Sequence, residues 1–226
     1  MRLGQAIRHL ATASMEDVKT LKKTLRKDID HQLKHMARED IAAASANLQR
    51  HLVTLPEFIR AKSVCAYLAM PNEASTDTIL REIFAQGKQL YVPKVTGGNS
   101  EDMLMLRVES EADIESFPKS KWNIPEPALL LPSGLARLNA LDTLDVDLII
   151  VPGVAFDASC NRLGHGKGYY DSFFERYAAK ADGHLPATVG IALALQLVDS
   201  VPTSAHDRVL DMVVTPNGVV RKPHAA

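Results

Sequence analysis

The most extended pattern of apolar and polar positions lies near the amino end of the chain. Apolar residues recur there at steps of three and four, which places them on one face of a helix. These residues are Leu21, Leu25, Ile29, Leu33 and Met36. The pattern predicts one long helix over residues 15–53.

Short apolar runs bounded by turn residues follow this helix, and they predict strands. The runs cover residues 63–68, 89–92, 103–108, 147–151, 188–193 and 212–215. The run DLIIV at 147–151 is apolar on both faces, as expected for a central strand of a parallel sheet. Pro93 is expected to end the second run, because proline cannot donate to a strand ladder.

Helices are predicted between these runs. Thr76 can cap a helix that runs to about Gln86, and Gly87 suits its end. A second helix is predicted over residues 167–180, whereas residues 116–145, with several prolines, are expected to be irregular. The alternation of strand and helix predicts an α/β fold, a three-layer sandwich with a mostly parallel central sheet and a long N-terminal helix.

The composition limits the class of protein. The 226 residues include 26 Lys and Arg against 27 Asp and Glu, and this balance argues against a broadly basic nucleic-acid binder. No run of 18 apolar residues occurs, so no membrane span is predicted. Cys65 and Cys160 are too few for a disulfide framework and favour a reducing compartment. We expect a single domain over residues 15–220 that acts as a monomer, without nucleic-acid or membrane partners.

The first 14 residues have a composition of their own. They carry Arg2, Arg8 and His9 but no acid, with apolar residues at helical spacing. A mitochondrial presequence shares these features, and a frayed N-terminal extension fits equally well. We expect a cytoplasmic protein, with mitochondrial import through residues 1–14 as the alternative.

A glycine-rich loop is predicted where the DLIIV strand ends, over residues 152–166. Glycines alternate at positions 164, 166 and 168, so a ligand can approach the backbone amides closely. A loop between a parallel strand and a helix N-terminus is a common phosphate site in α/β proteins. Arg162 and Lys167 flank the glycines and would neutralise phosphate. Asp171, one helical turn past Lys167, could hold Mg²⁺.

The glycine pattern taken alone has a second interpretation. It fits neither a Walker A loop nor a dinucleotide fingerprint, and a plain turn with solvated cations would look the same. The flanking Arg, Lys and Asp after a parallel strand favour phosphate binding.

Several blocks of the sequence together resemble a known family. The stretch VPGVAFDASCNRLGHGKGYYD resembles the signature of the 5-formyltetrahydrofolate cyclo-ligase family, also called methenyltetrahydrofolate synthetase. Other blocks match in the same order: KKTLR at 22–26, YLAMPNE at 67–73, YVPKV at 91–95, WNIPEP at 122–127, and 202–211, which holds His206 and Asp207. The resemblance covers about residues 20–215, and the WNIPEP block is most similar to the eukaryotic branch.

The resemblance implies a ligase of folate one-carbon metabolism that forms a cyclic C–N bond. Such enzymes use MgATP to convert 5-formyltetrahydrofolate to 5,10-methenyltetrahydrofolate, releasing ADP and phosphate. The formyl oxygen is phosphorylated, N10 attacks the activated carbon, and phosphate leaves. The implied partners are the folate and ATP, with Mg²⁺ as cofactor.

The resemblance also implies roles for individual residues. Lys167 and Arg162 would be catalytic, stabilising the transferred phosphoryl group. Asp171 and Asp207 would hold Mg²⁺. The ATP-binding residues would be Lys22, Lys23, Arg26, Arg162, Leu163, Gly164, His165, Gly166, Lys167, Gly168, Tyr169 and Tyr170. The folate-binding residues would be Leu68, Glu73, Trp122 and Tyr169.

Two residues depart from the family pattern. His165 stands where relatives often carry Arg, which removes a positive charge near the phosphates at pH 7. Cys160 stands where Gly is common, so a turn that needs positive φ would be strained there.

Other functions stay open from the sequence. They are a different phosphate-sugar or CoA enzyme of the same architecture, and a folate- or nucleotide-binding protein without turnover. RNA binding by residues 19–38, with seven Lys and Arg against two Asp, is a further alternative, but no aromatic residues are interleaved there.

Overall fold

The structure is a computed structural model that describes residues 15–120 and 124–223. The expectations for residues 1–14 and for Trp122 lie outside the described residues.

The amino-terminal helical region is two helices, so the prediction of one helix over 15–53 is wrong. Helix α1 is Met15–Lys34 and helix α2 is Arg38–Leu52. Ala37 is extended, with φ −67° and ψ 146°, and Glu39 and Asp40 lie in the first turn of α2. Acids favour a helix N-terminus, so they mark a new start within a continuous apolar pattern.

The remaining elements alternate along the chain. The helices are α3 Pro56–Arg60, α4 Asp77–Ala85, α5 Glu111–Glu115, α6 Ala140–Thr143 and α7 Tyr169–Lys180. The strands are β1 Ser63–Cys65, β2 Gln89–Val95, β3 Met103–Val108, β4 Leu148–Val151, β5 Ala155–Phe156, β6 Arg162–Leu163, β7 Ala187–Ile191, β8 Met212–Thr215 and β9 Gly218–Arg221. A 3₁₀ turn covers Ala194–Gln196.

Seven of these strands form one sheet, in the order β3-β2-β1-β4-β7-β8-β9. The four neighbouring pairs from β2 to β8 are parallel. The edge strands β3 and β9 are antiparallel to their neighbours, and β5 pairs with β6 in a separate antiparallel hairpin. The predicted α/β fold with a mostly parallel sheet is confirmed.

The sheet separates two hydrophobic cores. Along β4, Leu148 and Ile150 belong to the core that also contains residues of α1 to α4. Ile149 and Val151 belong to the core that contains the aromatic residues of α7. Because successive side chains of a strand point to opposite faces, this division gives the three layers expected from the sequence.

Several predicted boundaries are wrong. Strand β2 continues through Pro93 to Val95, because Pro93 turns its nitrogen toward the side of β1, where the ladder ends at Tyr91. Strand β1 ends at Cys65 rather than at residue 68, and α7 begins at Tyr169 rather than at residue 167.

Some short elements were missed. The loop over 152–166 contains the β5–β6 hairpin, the irregular region contains α6, and β9 follows the last predicted strand. These elements are two to four residues long, too short for a period to show.

Candidate functional site

The order of the strands creates a crevice at one edge of the sheet. From β1 the chain moves outward to β2 and β3, whereas from β4 it moves the other way to β7 and β8. In open α/β sheets, ligands bind at the carboxyl ends of the strands at such a switch point. The loops that follow β1, β4 and β7 all start at this edge.

A cavity of about 250 Å³ opens between these loops and α1. The loop after β1 contributes Glu73 to its wall, and the loop after β4 contributes His165. The complete lining is Arg26, Lys27, Asp30, Leu33, Glu73, Gly153, Val154, His165 and Gln196. Residues expected at ATP and at folate therefore share one cavity.

Glu73 lies where two loops meet. Its Oε2 accepts a hydrogen bond from the backbone N–H of Met70 at 2.8 Å, and its Oε1 lies 3.6 Å from Nε2 of His165. The Glu73 side chain is only 12% exposed. The carboxylate is thus held beside the glycine loop and faces the cavity.

Arg26 attaches α1 to the glycine loop. Its Nε donates a hydrogen bond to the carbonyl of Gly164 at 2.8 Å. Gly166 has φ +94°, and a Cβ there would lie 3.3 Å from the Arg26 guanidinium carbon. Burial lowers the pKa of Arg26, and the charge of Asp207 opposes that shift. Helix α1 therefore forms one wall of the site.

Lys22, one turn earlier on α1, pairs with the carboxylate of Asp207. It also donates to Ser204 Oγ at 3.3 Å, while Asp207 accepts from the Ser204 N–H at 2.6 Å. Burial raises the pKa of Asp207, but the hydrogen bonds from Lys22 and Ser204 outweigh burial and hold that pKa below its ordinary value. Asp207 is therefore an ionised carboxylate near neutral pH.

Arg162 is buried rather than solvated. Its side chain is 5% exposed, and Nη2 donates to Asp171 Oδ2 at 2.8 Å. The guanidinium carbon lies 5.7 Å from the centre of the Tyr170 ring. A Cβ on Gly164 would come within 2.8 Å of Arg162 Nη1, so a side chain there would displace the guanidinium. The Arg162 Nε has no hydrogen-bond partner among the described residues.

The two tyrosines at the start of α7 point to different surroundings. Tyr169 donates its hydroxyl to the carbonyl of Gly97 at 3.2 Å, in the turn between β2 and β3. Tyr170 is buried, its hydroxyl has no partner among the described residues, and burial raises its pKa. Gly168, with φ +72°, precedes both as the helix N-cap.

The other predicted site residues differ in exposure. Lys167 and Lys23 are exposed. Leu163 is buried in the core, and Leu68 is partly buried against the same core. The structure thus brings the glycine loop, Arg26, His165 and Glu73 around one cavity and places Leu68 and Tyr169 on adjoining elements.

The residues expected to hold Mg²⁺ come from two neighbouring segments. Asp171 is in α7, and its Oδ1 accepts from the N–H of Arg208, the residue next to Asp207, at 3.3 Å. No group of three or more His, Cys, Asp or Glu side chains suited to a metal is present in residues 15–120 and 124–223. Two carboxylates nevertheless fit Mg²⁺, which takes one or two carboxylates and completes its shell with phosphate and water.

Sequence reasoning missed Gln196, a buried residue at the cavity wall. Its Nε2 donates to the carbonyls of Gly153 at 2.8 Å and Val154 at 3.2 Å. Its Oε1 accepts from the N–H of Leu193 at 2.8 Å. The amide therefore ties the loop after β7 to the loop after β4. A single polar residue within the apolar run IALALQLV was the available signal.

Among the described residues, no helix combines the length and the apolar character needed to cross a bilayer.

The fold and the site together define an α/β protein with a glycine-rich loop at the switch point of a mostly parallel sheet. The family model of the 5-formyltetrahydrofolate cyclo-ligase family matches residues 18–216. The chain belongs to this family and is an enzyme, as the sequence predicted.

Individual relatives agree with this assignment. The chain is 36% identical to the probable 5-formyltetrahydrofolate cyclo-ligase of Schizosaccharomyces pombe, over 88% of this chain and 97% of that protein. It is 35% identical to a mitochondrial 5-formyltetrahydrofolate cyclo-ligase of Arabidopsis thaliana, over 88% of this chain and 75% of that protein.

A solved structure shows the same fold. The 5,10-methenyltetrahydrofolate synthetase of Aquifex aeolicus superposes with a TM-score of 0.71 at 32% identity. The match covers 91% of this chain and 95% of that one.

Proposed function

We propose that this enzyme converts 5-formyltetrahydrofolate to 5,10-methenyltetrahydrofolate with MgATP and releases ADP and phosphate. One observation carries the proposal. A glycine loop bound by Arg26 and a partly buried Glu73 carboxylate face the same cavity. An anion-binding loop and an acceptor for a polar ring edge are what two reacting molecules, ATP and a folate, would need side by side.

The ATP half of the site is built by α1 and the glycine loop. The amides of residues 163–170 and the side chains of Lys22, Lys23 and Arg26 would bind the phosphates. Lys167 is exposed between two glycines and would stabilise the transferred phosphoryl group. Arg162 would add positive charge beneath the glycine loop. Its guanidinium is buried, and its Nε has no hydrogen-bond partner among the described residues.

The folate half of the site would include the loop after β1, where Glu73 lies beside His165 of the glycine loop. Glu73 would accept hydrogen bonds from the pterin edge, and the partly buried Leu68 would pack against the ring. Tyr169 and Trp122 would contribute aromatic surface. The Tyr169 hydroxyl already donates a hydrogen bond to Gly97, in the turn between β2 and β3.

The chemistry needs positioning and charge neutralisation rather than an enzyme nucleophile. The formyl oxygen bonds to the γ-phosphorus as the bond to ADP breaks. N10 then attacks the activated carbon, the carbon–oxygen bond to phosphate breaks, and N10 loses its proton. A poor leaving group is thereby exchanged for phosphate, a good one.

Asp171 and Asp207 would hold Mg²⁺, whose role is to shield the negative charge of the phosphates. Each carboxylate now pairs with a cation that we assign to phosphate binding, Asp171 with Arg162 and Asp207 with Lys22. We propose that, when MgATP binds, each carboxylate would bind the metal and each cation would bind phosphate. The charge balance of the site would thereby be kept.

The direct test is an assay of the purified protein with 5-formyltetrahydrofolate and MgATP in mildly acidic buffer, in which the product is stable. We expect methenyl absorbance in the near ultraviolet and ADP to appear together, and only when both ATP and Mg²⁺ are present. Folate binding without product would instead support a binding protein without turnover. Neither binding nor product would show that the substrate is wrong.

We propose that the enzyme works as a monomer in the cytoplasm, with mitochondrial import as the alternative. The mitochondrial Arabidopsis relative supports testing residues 1–14. Fluorescent fusions with and without these residues separate the two: import that depends on residues 1–14 supports a presequence, and equal cytoplasmic signal supports an extension.

A further inference from the structure

Asp157 is a buried carboxylate that none of the proposed steps uses. It follows β5 and is 3% exposed. Its Oδ1 accepts hydrogen bonds from the N–H groups of Ser159 and Asn161, each at 3.0 Å. Its Oδ2 accepts from the Val201 N–H and from Asn161 Nδ2, each at 2.9 Å. Four donors satisfy the carboxylate, which explains how a charge is tolerated in this position.

These donors belong to two different segments of the site. Ser159 and Asn161 form the turn of the β5–β6 hairpin, and Arg162 follows at once in β6. Val201 begins the segment that leads to Asp207, six residues further along the chain. Asp157 therefore connects the element that positions Arg162 with the element that positions Asp207.

The connection between these segments continues on both sides of Asp157. The carbonyl of Phe156 accepts from the Val198 N–H at 2.8 Å, and the carbonyl of Cys160 accepts from the Leu210 N–H at 3.0 Å. Asp157 bonds to both segments from between them, and Asp171 of α7 also links them, through Arg162 and the N–H of Arg208. These backbone hydrogen bonds hold the two segments together, and the Asp157 carboxylate sets the position of Val201 between them.

We infer that Asp157 is a positioning residue for the ATP half of the reaction. It fixes Arg162 and Asp207 relative to each other, so that one can face phosphate while the other holds Mg²⁺. This inference rests on the proposed function. Phosphoryl transfer is sensitive to small misplacements of charged groups, so loosening one tether at a distance from the reacting atoms should still slow it.

Asp157→Asn breaks one tether selectively. Asn Oδ1 can still accept from Ser159 and Asn161, and the amide of Asn161 can rotate to accept from the new NH₂ group. The Val201 N–H can only donate, so it would face the new NH₂ group, which is also a donor. The hydrogen bond between residues 157 and 201 would be lost. We expect KM for MgATP to rise about tenfold or more, as for loss of a charged hydrogen bond, while KM for 5-formyltetrahydrofolate changes less than about twofold.

Asn161→Ala is the matched control, because it removes a bond to Asp157 and leaves the Val201 tether. We expect both KM values to stay within about twofold of the wild type. A folded Asp157→Asn enzyme with unchanged KM values, or with equal rises in both, would overturn the inference, because a purely structural role predicts no preference for ATP.

Hydrogen exchange on the wild-type enzyme gives a second test that needs no variant to fold. We expect exchange of the Val201 amide to slow when MgATP is added and to stay unchanged with 5-formyltetrahydrofolate alone. No response to MgATP would contradict the inference. Wild-type enzyme without ATP-dependent turnover or ATP binding would instead remove the proposed function, and the inference with it.

Discussion

Among the described residues, Lys167 differs from Lys22, Arg26 and Arg162 in having no partner. Lys22 and Arg162 pair with carboxylates, and Arg26 bonds to a carbonyl. Lys167 has no hydrogen-bond or ion-pair partner in the described part of the chain, and it is exposed between Gly166 and Gly168. An unpaired ammonium on a flexible stem can follow a phosphoryl group as it moves from ATP to the formyl oxygen.

Replacing Lys167 with Ala should therefore affect turnover far more than binding of folate. We expect kcat to fall by ~10²-fold or more, as when a charge-stabilising donor is lost, with folate affinity retained. Steady-state kinetics and folate titration by fluorescence measure the two quantities. Lys62→Ala, which changes an exposed lysine beside the amino end of β1, is the control. Equal turnover in the two variants would refute the role of Lys167.

Cys160 has a backbone conformation that residues other than glycine disfavour. It adopts φ +62° and is fully buried, so the strain that the sequence suggested for a positive-φ turn is present. Its thiol packs against the α7 core and lies 3.8 Å from the Val220 carbonyl. Burial raises the pKa of this thiol to about 11, which keeps it protonated and unreactive at neutral pH.

Two substitutions at Cys160 separate backbone strain from packing. Both Gly and Ala lose the thiol, but only Gly relaxes the positive φ. We expect Cys160→Gly to be more stable than Cys160→Ala by on the order of 1 kcal/mol, the reverse of the usual order of these residues. Urea denaturation gives the free energies of unfolding. A more stable Ala variant would mean that the turn relaxes to accept a side chain.

At the scale of elements, the sequence predicted long and strongly patterned segments well and short ones badly. The β4 run, α4 and α7 were recognised, since each has an apolar pattern or a breaker that acts locally. The predicted capping bond from Thr76 to α4 is wrong, because its hydroxyl bonds to the Tyr67 carbonyl instead. The β5–β6 hairpin and β9 were not, because two-residue to four-residue strands are defined by what they pair with. The break between α1 and α2 was hidden because both helices pack apolar residues into the same core.

A buried ion pair connects the irregular region beside β3 to α5. Arg137 makes two hydrogen bonds of 2.6 Å to the carboxylate of Asp113 in α5, and the Arg137 side chain is 3% exposed. It also donates to the carbonyls of Arg107 and Ala128. Burial raises the pKa of Asp113, but the bonds from Arg137 outweigh burial and the pKa lies below its ordinary value.

This pair should therefore stabilise the fold above the unfolded-state pKa of Asp, about 3.9, and less as pH falls through the lower folded-state value. We expect Asp113→Asn to lower the free energy of unfolding by roughly 3 kcal/mol at pH 7, and by less at pH 3. Urea denaturation at both pH values measures this. Asp142→Asn, at an exposed pair with Lys180, should change little. An equal loss at both pH values would exclude the ion pair as the cause.

At the scale of the whole molecule, the site depends on contacts that no local pattern encodes. Lys22 and Asp207 are 185 residues apart in sequence, and Glu73 meets His165 only because β1 and β4 are neighbours. From the sequence, the glycine loop indicated phosphate on physical grounds, whereas Lys22, Glu73 and Asp207 entered through resemblance alone. Topology supplies the reason: parallel strands deliver their following loops to one edge, and α1 closes over them.

This arrangement predicts that Mg²⁺ and ATP bind together rather than independently. Without Mg²⁺, the phosphates would compete with Asp171 and Asp207 for Arg162 and Lys22. With Mg²⁺, each carboxylate would exchange its cation for the metal, and each cation would be freed for phosphate.

By titration calorimetry, we expect ATP to bind at least about tenfold more tightly with Mg²⁺ than with a chelator, a coupling of about 1.4 kcal/mol. The Asp207→Asn variant should lose most of this difference, since its side chain no longer needs a cation. Asp199→Asn, at an exposed acid two residues before Val201, should keep the difference. A Mg²⁺ dependence that survives Asp207→Asn unchanged would place the metal on ATP alone, and the paired charges of the free enzyme would then serve only to hold α1 against the loops.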